Sequence, residues 1–266
     1  MISCKDYVTY AKGELKEKIK ELKDKPRLVV IQVDDNPASN SYIKGKKKDC
    51  EEVGIEFVHY QVDSRIISQS TLEDIVYDFS YNNLVDGVII QLPIPEKYNL
   101  ERLKNCIVPN KDVDGFREDS DFKPCTPKGI IDWLEFNEIN LQGKDVVVIG
   151  RSDIVGKPLV NMFIEKGATV TCCNSKTENI KYYTRNADIV VSAIGKPKYF
   201  NSKYFKQGQI IIDVGINRDE NGKLCGDVDS KYIYDSYVTP VPGGVGLLTR
   251  ISLLQNVYMS YVNDTL

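Results

Sequence analysis

The sequence has little of what a metal centre or a disulfide-stabilised scaffold requires. It contains one histidine, His59, and its seven cysteines include no Cys-x-x-Cys pair. A zinc site needs several histidine or cysteine ligands at short spacing, so we expect no metal site. Scattered cysteines in odd number are typical of reduced, mostly buried thiols. If the adjacent Cys172 and Cys173 lie in a strand, their side chains should point to opposite faces.

Long apolar runs and an excess of basic charge are also missing. No apolar run approaches the roughly 20 residues that span a bilayer, and residues 1–6 lack the apolar core of a signal peptide. The 35 basic and 38 acidic residues leave a net charge of −3, so no global field attracts nucleic acid. We therefore expect a soluble, cytoplasmic protein with neither a membrane nor a nucleic acid as partner.

Strand and helix patterns alternate along the first half of the chain. The hydrophobic content of 42% over 266 residues suits one large α/β domain or two smaller ones. Strands are predicted over residues 27–33, 55–60 and 86–91, and helices over residues 5–23, 40–53 and 70–82. This alternation predicts a parallel sheet with helices on its faces.

A second α/β run follows a segment with little periodicity, residues 109–127, which we interpret as a linker or active-site loop. A helix is predicted over residues 128–137, and strands over residues 145–149, 169–173, 189–194, 210–214 and 237–239. The predicted closing helix, residues 248–262, could pack back on the first domain. We therefore predict a first domain of residues 1–122 joined by residues 248–266, and a Rossmann-like doubly wound domain of residues 123–247.

The second run opens with a candidate nucleotide-binding turn. An apolar strand, residues 146–149, leads into Gly-Arg-Ser-Asp-Ile-Val-Gly, residues 150–156, and then into a predicted helix, residues 157–166. Free N–H groups at such a helix start favour phosphate. Ser152 occupies the place of a middle glycine and the last glycine comes one residue late, so an ordinary strand–helix loop remains an alternative.

The next turn bears on which dinucleotide binds. NAD sites usually place an acid after the second strand to hold the ribose 2′-hydroxyl, but this chain has Asn174, Ser175, Lys176 and Thr177 there. Arg151 and Ser175 suit a 2′-phosphate, which favours NADP over NAD. Lys176 could add a contact, although a solvated surface lysine is the simpler interpretation.

Four polar residues of the first domain form a candidate constellation. Tyr42 and Lys46 are four apart on a predicted helix and share a face. Gln91 ends a strand at the edge where α/β proteins bind ligands, and Asp114 lies in the non-periodic loop. Each has an ordinary alternative: packing for the tyrosine, solvation for the lysine, and turn formation for Asp112 and Asp114.

Six segments in this order resemble the bifunctional methylenetetrahydrofolate dehydrogenase/methenyltetrahydrofolate cyclohydrolase family, the FolD-type proteins. The resemblance covers nearly the whole chain. The segments are residues 39–54, Gln-Leu-Pro-Ile-Pro at 91–95, Lys-Asp-Val-Asp-Gly at 111–115, Pro-Cys-Thr-Pro-Lys-Gly at 124–129, the turn at 150–156 and Thr-Pro-Val-Pro-Gly-Gly-Val-Gly at 239–246.

The resemblance implies two α/β domains with a cleft between them, a homodimer, a folate substrate in the cleft and NADP on the second domain. By the same resemblance, Tyr42 stacks on the pterin, Lys46 is the main catalytic residue and Gln91 orients it. Asp114 anchors the pterin, and Ser39 lies near that cluster.

The resemblance also implies a two-step reaction in one-carbon metabolism, with a place in purine biosynthesis. Hydride leaves the methylene carbon of 5,10-methylenetetrahydrofolate for the nicotinamide, a step that needs positioning more than a base. Hydrolysis of the methenyl cation to 10-formyltetrahydrofolate needs proton transfer, for which Lys46 is the candidate.

Further cofactor residues lie in three loops of the second domain. The resemblance places the loops after residues 188–192 and at 213–217 beside the cofactor, and the loop at 240–246 has rigid prolines and permissive glycines for close approach to a ligand. Tight connections of a doubly wound sheet would explain them equally. The candidate cofactor residues are Gly150, Arg151, Ser152, Ile154, Gly156, Ser175, Ala193, Ile194, Gly195 and Ile216, and Pro242 and Gly243 join Ser39, Tyr42 and Asp114 as substrate residues.

Two departures from the family pattern qualify these expectations. Asn174 stands where family members often have histidine, which weakens the preference for NADP and leaves some use of NAD open. Leu247 and Leu248 replace the usual Pro-Met, which should alter the order of the substrate loop without loss of fold. Three rival hypotheses are a shikimate-type dehydrogenase, a dehydrogenase-only folate enzyme and a non-catalytic dinucleotide sensor.

Overall fold

The computed structural model describes residues 3–234 and 236–265. Within that range the chain forms two compact units. The first unit contains residues 10–125 and 250–265, and the second contains residues 3–9 and 126–249. The sequence-based division had placed residues 3–9 with the first domain. They belong to the second unit, where the buried Tyr7 packs on Phe136 with ring centroids 5.0 Å apart.

A three-stranded parallel sheet forms the core of the first unit. Its order is β2-β1-β3, with β1 at Arg27–Val33, β2 at Glu56–Val62 and β3 at Gly87–Gln91. The central strand β1 is buried from Leu28 onward, and all five residues of β3 are buried. Such continuous apolar runs are expected where helices cover both faces of a parallel sheet.

A five-stranded parallel sheet forms the core of the second unit, in the order β10-β7-β6-β4-β5. The strands are β4 at Asp145–Ile149, β5 at Thr169–Cys173, β6 at Ile189–Ser192, β7 at Ile210–Asp213 and β10 at Tyr237–Val238. The short strands β8, Asn217–Arg218, and β9, Leu224–Cys225, pair antiparallel beside it. The chain leaves β4 for β5 on one side and later returns to β6 on the other. This reversal marks the place where doubly wound sheets bind ligands.

The predicted α/β class with parallel sheets is confirmed, and several helix bounds differ from those predicted. The helices are α1 Cys4–Lys20, α2 Pro37–Val53, α3 Gln69–Tyr81, α4 Leu100–Asn105, α5 Cys125–Phe136, α6 Gly156–Glu165, α7 Ile180–Asn186 and α8 Val245–Thr265. Helices α4 and α7 were not predicted, because six or seven residues are too few to show a helical period.

Three helices begin three residues earlier than predicted, and proline explains two of them. Helix α2 starts at Pro37 and α5 starts two residues before Pro127. Proline is tolerated in a first turn because its missing N–H would have no partner within the helix. Helix α8 starts at Val245, directly after two glycines. The predicted loop at 109–127 therefore ends at residue 124, and it also contains a short 3-10 turn at Pro109–Lys111.

The cysteines behave as predicted. Cys173 is buried and its neighbour Cys172 is exposed, so the two side chains leave β5 on opposite faces. All seven thiols are free and five of them are buried. In the described part of the chain, no helix has the length and apolar character needed to cross a membrane.

Candidate active site

The candidate residues of the first unit gather where β1 and β3 end. Helix α2 follows β1 and carries Ser39, Tyr42 and Lys46 at intervals of three and four, so the three side chains share one face. Gln91 is the last residue of β3, the neighbour of β1. Parallel strands end at the same edge of a sheet, and this brings the helix face and Gln91 together.

Lys46 and Gln91 form a buried pair. The Nζ of Lys46 donates to Oε1 of Gln91 at 3.1 Å, and the two residues are only 8% and 9% exposed. The Nε2 of Gln91 donates to the carbonyl of Leu92 at 2.8 Å, which fixes the amide so that its oxygen faces the lysine. Ser39 Oγ donates to the same carbonyl at 3.3 Å. The glutamine therefore orients a lysine side chain that is largely shielded from water.

Tyr42 lies beside a second cation, Arg250. Burial raises the pKa of the half-buried Tyr42 phenol, and the guanidinium of Arg250 opposes that rise. The same guanidinium fills the space next to Gly45, where a Cβ would collide with it. Its Nε lies 2.9 Å from Oδ2 of the buried Asp49. Sequence reasoning missed Arg250, since nothing in its local sequence points to α2.

The loop after α4 contains two aspartates, Asp112 and the candidate residue Asp114, in different environments. Asp112 is buried, and its carboxylate accepts a hydrogen bond from the N–H of Arg117 at 2.8 Å. Burial also raises the pKa of Asp112. Asp114 is half-buried and precedes Gly115, whose φ of +70° turns the chain tightly against Lys123. Asp112 therefore shapes the loop, and Asp114 has the exposure that a ligand contact requires.

The glycine turn of the second unit follows β4, at the reversal of the strand order. Gly150 has a φ of +125°, and a Cβ on it would collide with the carbonyl of Ala193. A Cβ on Gly156 would collide with the carbonyl of Gly150. Ser152, the apparent departure from the glycine pattern, accepts a hydrogen bond at 3.3 Å from the N–H of Gly156, the first residue of α6. Ile154 is half-buried within this turn.

The turn after β5 runs beside the glycine turn, because the N–H of Gly150 donates to the carbonyl of Cys173 at 2.9 Å. Arg151, Ser175 and Lys176 are all exposed in these two turns. Asn174 has a structural task here: its Oδ1 accepts from the N–H of Lys176 at 2.9 Å. An asparagine at this position thus forms an Asx turn that presents the next two side chains.

The remaining candidates occupy the loops after β6, β7 and β10. Ala193 and Ile194 are half-buried, and Gly195 and Ile216 are exposed. In the loop after β10, Pro242 and Gly243 are exposed and Gly243 has a φ of +100°. The carbonyl of Pro240 leaves no room for a Cβ at Gly244, so this loop needs its glycines.

These features define a class of enzyme: a nucleotide-binding parallel-sheet unit coupled in one chain to an α/β unit with a buried lysine. Two family models match the chain. The catalytic domain of tetrahydrofolate dehydrogenase/cyclohydrolase matches residues 2–114, and the NAD(P)-binding domain of the same enzymes matches residues 124–265. The chain belongs to the tetrahydrofolate dehydrogenase/cyclohydrolase family, which confirms the resemblance drawn from the six segments.

Individual relatives are similar over almost their whole length. The bifunctional protein FolD of Bacillus anthracis is 43% identical over 263 residues, which cover 94% of this chain and 92% of that protein. The crystal structure of the Campylobacter jejuni bifunctional enzyme FolD is 41% identical with a TM-score of 0.95 and covers 98% of both chains. A Trypanosoma brucei FolD structure, complexed with NADP cofactor and inhibitor, is 28% identical with a TM-score of 0.92, covering all of this chain and 98% of that one.

Proposed function

We propose that this protein oxidises 5,10-methylenetetrahydrofolate with NADP and hydrolyses the resulting methenyl cation to 10-formyltetrahydrofolate. Membership of the family supports the pair of activities. The observation that carries the proposal is the buried pair of Lys46 and Gln91, because it puts an oriented amine at the ligand-binding edge of the first unit. A shikimate-type dehydrogenase would explain neither this pair nor the folate-family match.

The second unit fits a dinucleotide. The turn at 150–156 is a cradle from which any Cβ at Gly150 or Gly156 would be excluded, and such close backbone approach suits a pyrophosphate. Bound NADP would accept the hydride from the substrate's methylene carbon. Arg151 and Ser175 would hold the 2′-phosphate, since both are exposed on neighbouring turns and neither turn offers a carboxylate in the place that NAD enzymes use. The proposed enzyme could also use NAD in place of NADP.

Hydrolysis of the methenyl cation sets the chemical task for Lys46. Addition of water to the cationic carbon releases one proton and leaves a hydroxyl adduct. Opening of the ring C–N bond then moves the hydroxyl proton of that adduct to the departing nitrogen as the formyl C=O forms. We assign this proton transfer to the Nζ of Lys46. Gln91 keeps that atom in place through its fixed amide, so it acts by positioning.

The other first-unit residues are assigned to substrate binding. Tyr42 offers a half-buried ring for stacking on the pterin, and Asp114 offers a carboxylate for its amino and ring nitrogens. Ser39 supports the cluster through the carbonyl of Leu92. Pro242 and Gly243 are assigned to the substrate loop, in keeping with their exposure.

We also propose a homodimer, a cytoplasmic location and a place in purine biosynthesis. Among the described residues, β2 pairs with β1 alone, so its outer edge offers unpaired backbone groups to a second copy. Seven free thiols suit a reducing compartment. Light scattering coupled to gel filtration would test the dimer, and a monomer at micromolar concentration would refute it.

The test of the main proposal is absorbance of the methenyl product. Purified protein is mixed with 5,10-methylenetetrahydrofolate and either NADP or NAD, and separately with methenyltetrahydrofolate alone. We expect methenyl formation with NADP and cofactor-independent decay of added methenyl substrate. Formation of the methenyl product without its hydrolysis would indicate a dehydrogenase-only enzyme. Binding of NADP without either reaction would indicate a dinucleotide sensor.

A further inference from the structure

Two buried carboxylates of the second unit have no role in the reaction described so far. Asp213 ends β7 and is 2% exposed, and Asp227 follows β9 and is fully buried. Burying two like charges is unfavourable unless each is well hydrogen-bonded. Their partners therefore indicate what the two side chains do.

Asp227 binds both ends of the segment that follows β6. Its Oδ2 accepts from the N–H of Ile194 at 2.8 Å and from Ser192 Oγ at 3.0 Å. Its Oδ1 accepts from the N–H of Lys196 at 2.9 Å and from Nδ2 of Asn217 at 2.9 Å. One carboxylate thus determines the shape of residues 194–196 and ties them to the loop after β7.

Asp213 holds Asp227 in place. Its Oδ1 accepts from the N–H of Asp227 at 2.9 Å and from that of Gly215 at 3.0 Å, and its Oδ2 accepts from the N–H of Val228 at 2.9 Å. The backbone presses directly on both acids, because a Cβ on Gly215 would collide with Asp227 and one on Gly226 would collide with Asp213. The two carboxylates and the two glycines form one close-packed cluster.

We propose that Asp227, held by Asp213, is the positioning residue that sets the cofactor loops after β6 and β7. These loops carry Ala193, Ile194, Gly195 and Ile216, which the proposed function assigns to NADP, so the inference rests on that function. Each acts through the backbone whose N–H groups it binds.

Asp227→Asn is the informative change, since it keeps the volume and replaces one acceptor oxygen with an N–H donor. The hydroxyl of Ser192 and the amide of Asn217 can each reverse to accept from the new donor. A backbone N–H cannot, so the amide of either Ile194 or Lys196 loses its partner in whichever orientation the new side chain adopts. We expect loosened loops without loss of the sheet.

The experiment measures NADP binding by calorimetry and the kinetics of both reactions. For Asp227→Asn we expect Kd and KM for NADP to rise on the order of tenfold. The KM for the folate and the cyclohydrolase turnover should stay within about twofold, because hydrolysis of added methenyl substrate needs no cofactor. Asp229→Asn is the matched control, because the Asp229 side chain accepts from the N–H of Lys231 and so caps the separate 3-10 turn at Ser230–Tyr232.

An unchanged Kd for NADP in the folded Asp227→Asn protein would overturn the inference, as would equal losses in both reactions. If that variant does not fold, Ser192→Ala and Asn217→Ala each remove a single donor, and both should raise the Kd for NADP by about two- to threefold. No rise in either would likewise overturn it. Absence of methenyl formation by the unchanged protein would instead refute the proposed function, while the calorimetric comparison would still report on the loops.

Discussion

The amide of Gln91 is held from both sides: its nitrogen donates to the Leu92 carbonyl at 2.8 Å and its oxygen accepts from Lys46 at 3.1 Å. An amide fixed in this way cannot rotate to present its N–H groups to the Nζ of Lys46. The lysine therefore keeps one orientation in a site that is almost closed to water, which is the arrangement that a positioned proton-transfer group requires.

Lys46→Met should abolish hydrolysis while leaving the cofactor unit unaffected. Loss of a positioned proton-transfer group typically costs about 10² to 10⁴ in rate, so we expect cyclohydrolase turnover to fall at least 100-fold with Kd for NADP unchanged. Lys47→Met is the control, since that neighbouring side chain is 59% exposed. Undiminished hydrolysis by a correctly folded Lys46→Met protein would rule out the assigned role.

Arg151→Ala should weaken NADP and spare NAD. Charge-assisted hydrogen bonds contribute about 1.5–3 kcal/mol, so loss of the guanidinium should raise KM for NADP roughly 10- to 100-fold. The KM for NAD, which has no 2′-phosphate, should change by less than about twofold. Lys157→Ala removes another exposed cation on α6, one that pairs with Asp153 at 2.5 Å, and should affect the two cofactors equally. If Arg151→Ala raised the KM for NADP and for NAD equally, the arginine would not act on the 2′-phosphate.

Gly45→Ala and Gly13→Ala should have opposite effects on stability. Both glycines lie inside helices, where alanine is favoured by about 0.5–1 kcal/mol. No atom lies within 4 Å of a Cβ at Gly13, so that change should stabilise the fold. A Cβ at Gly45 would displace the Arg250 guanidinium from Asp49, and we expect a net loss of about 1–2 kcal/mol.

Urea unfolding of the two glycine variants would measure both effects. In an Arg250→Met background, Gly45→Ala should no longer be destabilising, because the displaced group is gone. Stabilisation by Gly45→Ala in the unchanged background would show that the guanidinium moves aside freely.

The acid Asp213 should make the stability of the fold depend on pH. Burial raises the pKa of Asp213 from 3.8 to about 6, more than its three backbone hydrogen bonds lower it. Between those two pH values the folded chain keeps a proton that the unfolded chain has lost. The contribution of this group is therefore full below about pH 4 and is lost as the pH rises through 6, by about 3 kcal/mol in total.

Asp213→Asn isolates that contribution, since an amide does not titrate. The variant loses an acceptor and should be less stable than the unchanged protein at pH 4, and this stability difference should shrink between pH 4 and pH 7. Free energies of unfolding from urea titrations across that range would measure the difference. A constant difference would mean that Asp213 titrates near its ordinary value.

Local sequence determined most of the strands and the nature of the nucleotide turn. Strands β1, β4 and β5 were predicted at their observed bounds, because each is an apolar run closed by a turn signal. The Gly-rich turn, the missing acid near Asn174 and the ordered motifs pointed to the family without any structure. Helices α4 and α7 were not predicted from the sequence, since a helix of about two turns leaves no periodic signal.

Only the tertiary structure shows which contacts the polar residues make and how far each is buried. Lys46 and Gln91 are 45 positions apart and Ser192 and Asp227 are 35 apart, so only the tertiary fold makes them neighbours. The sequence singled out Asp114 through the family resemblance, but only the structure shows that Asp112 is buried and Asp114 half-buried. The physical reason is the range of the forces involved. Periodicity and turn chemistry act within a few residues, whereas hydrogen bonding and desolvation depend on whatever the fold brings within about 3 Å.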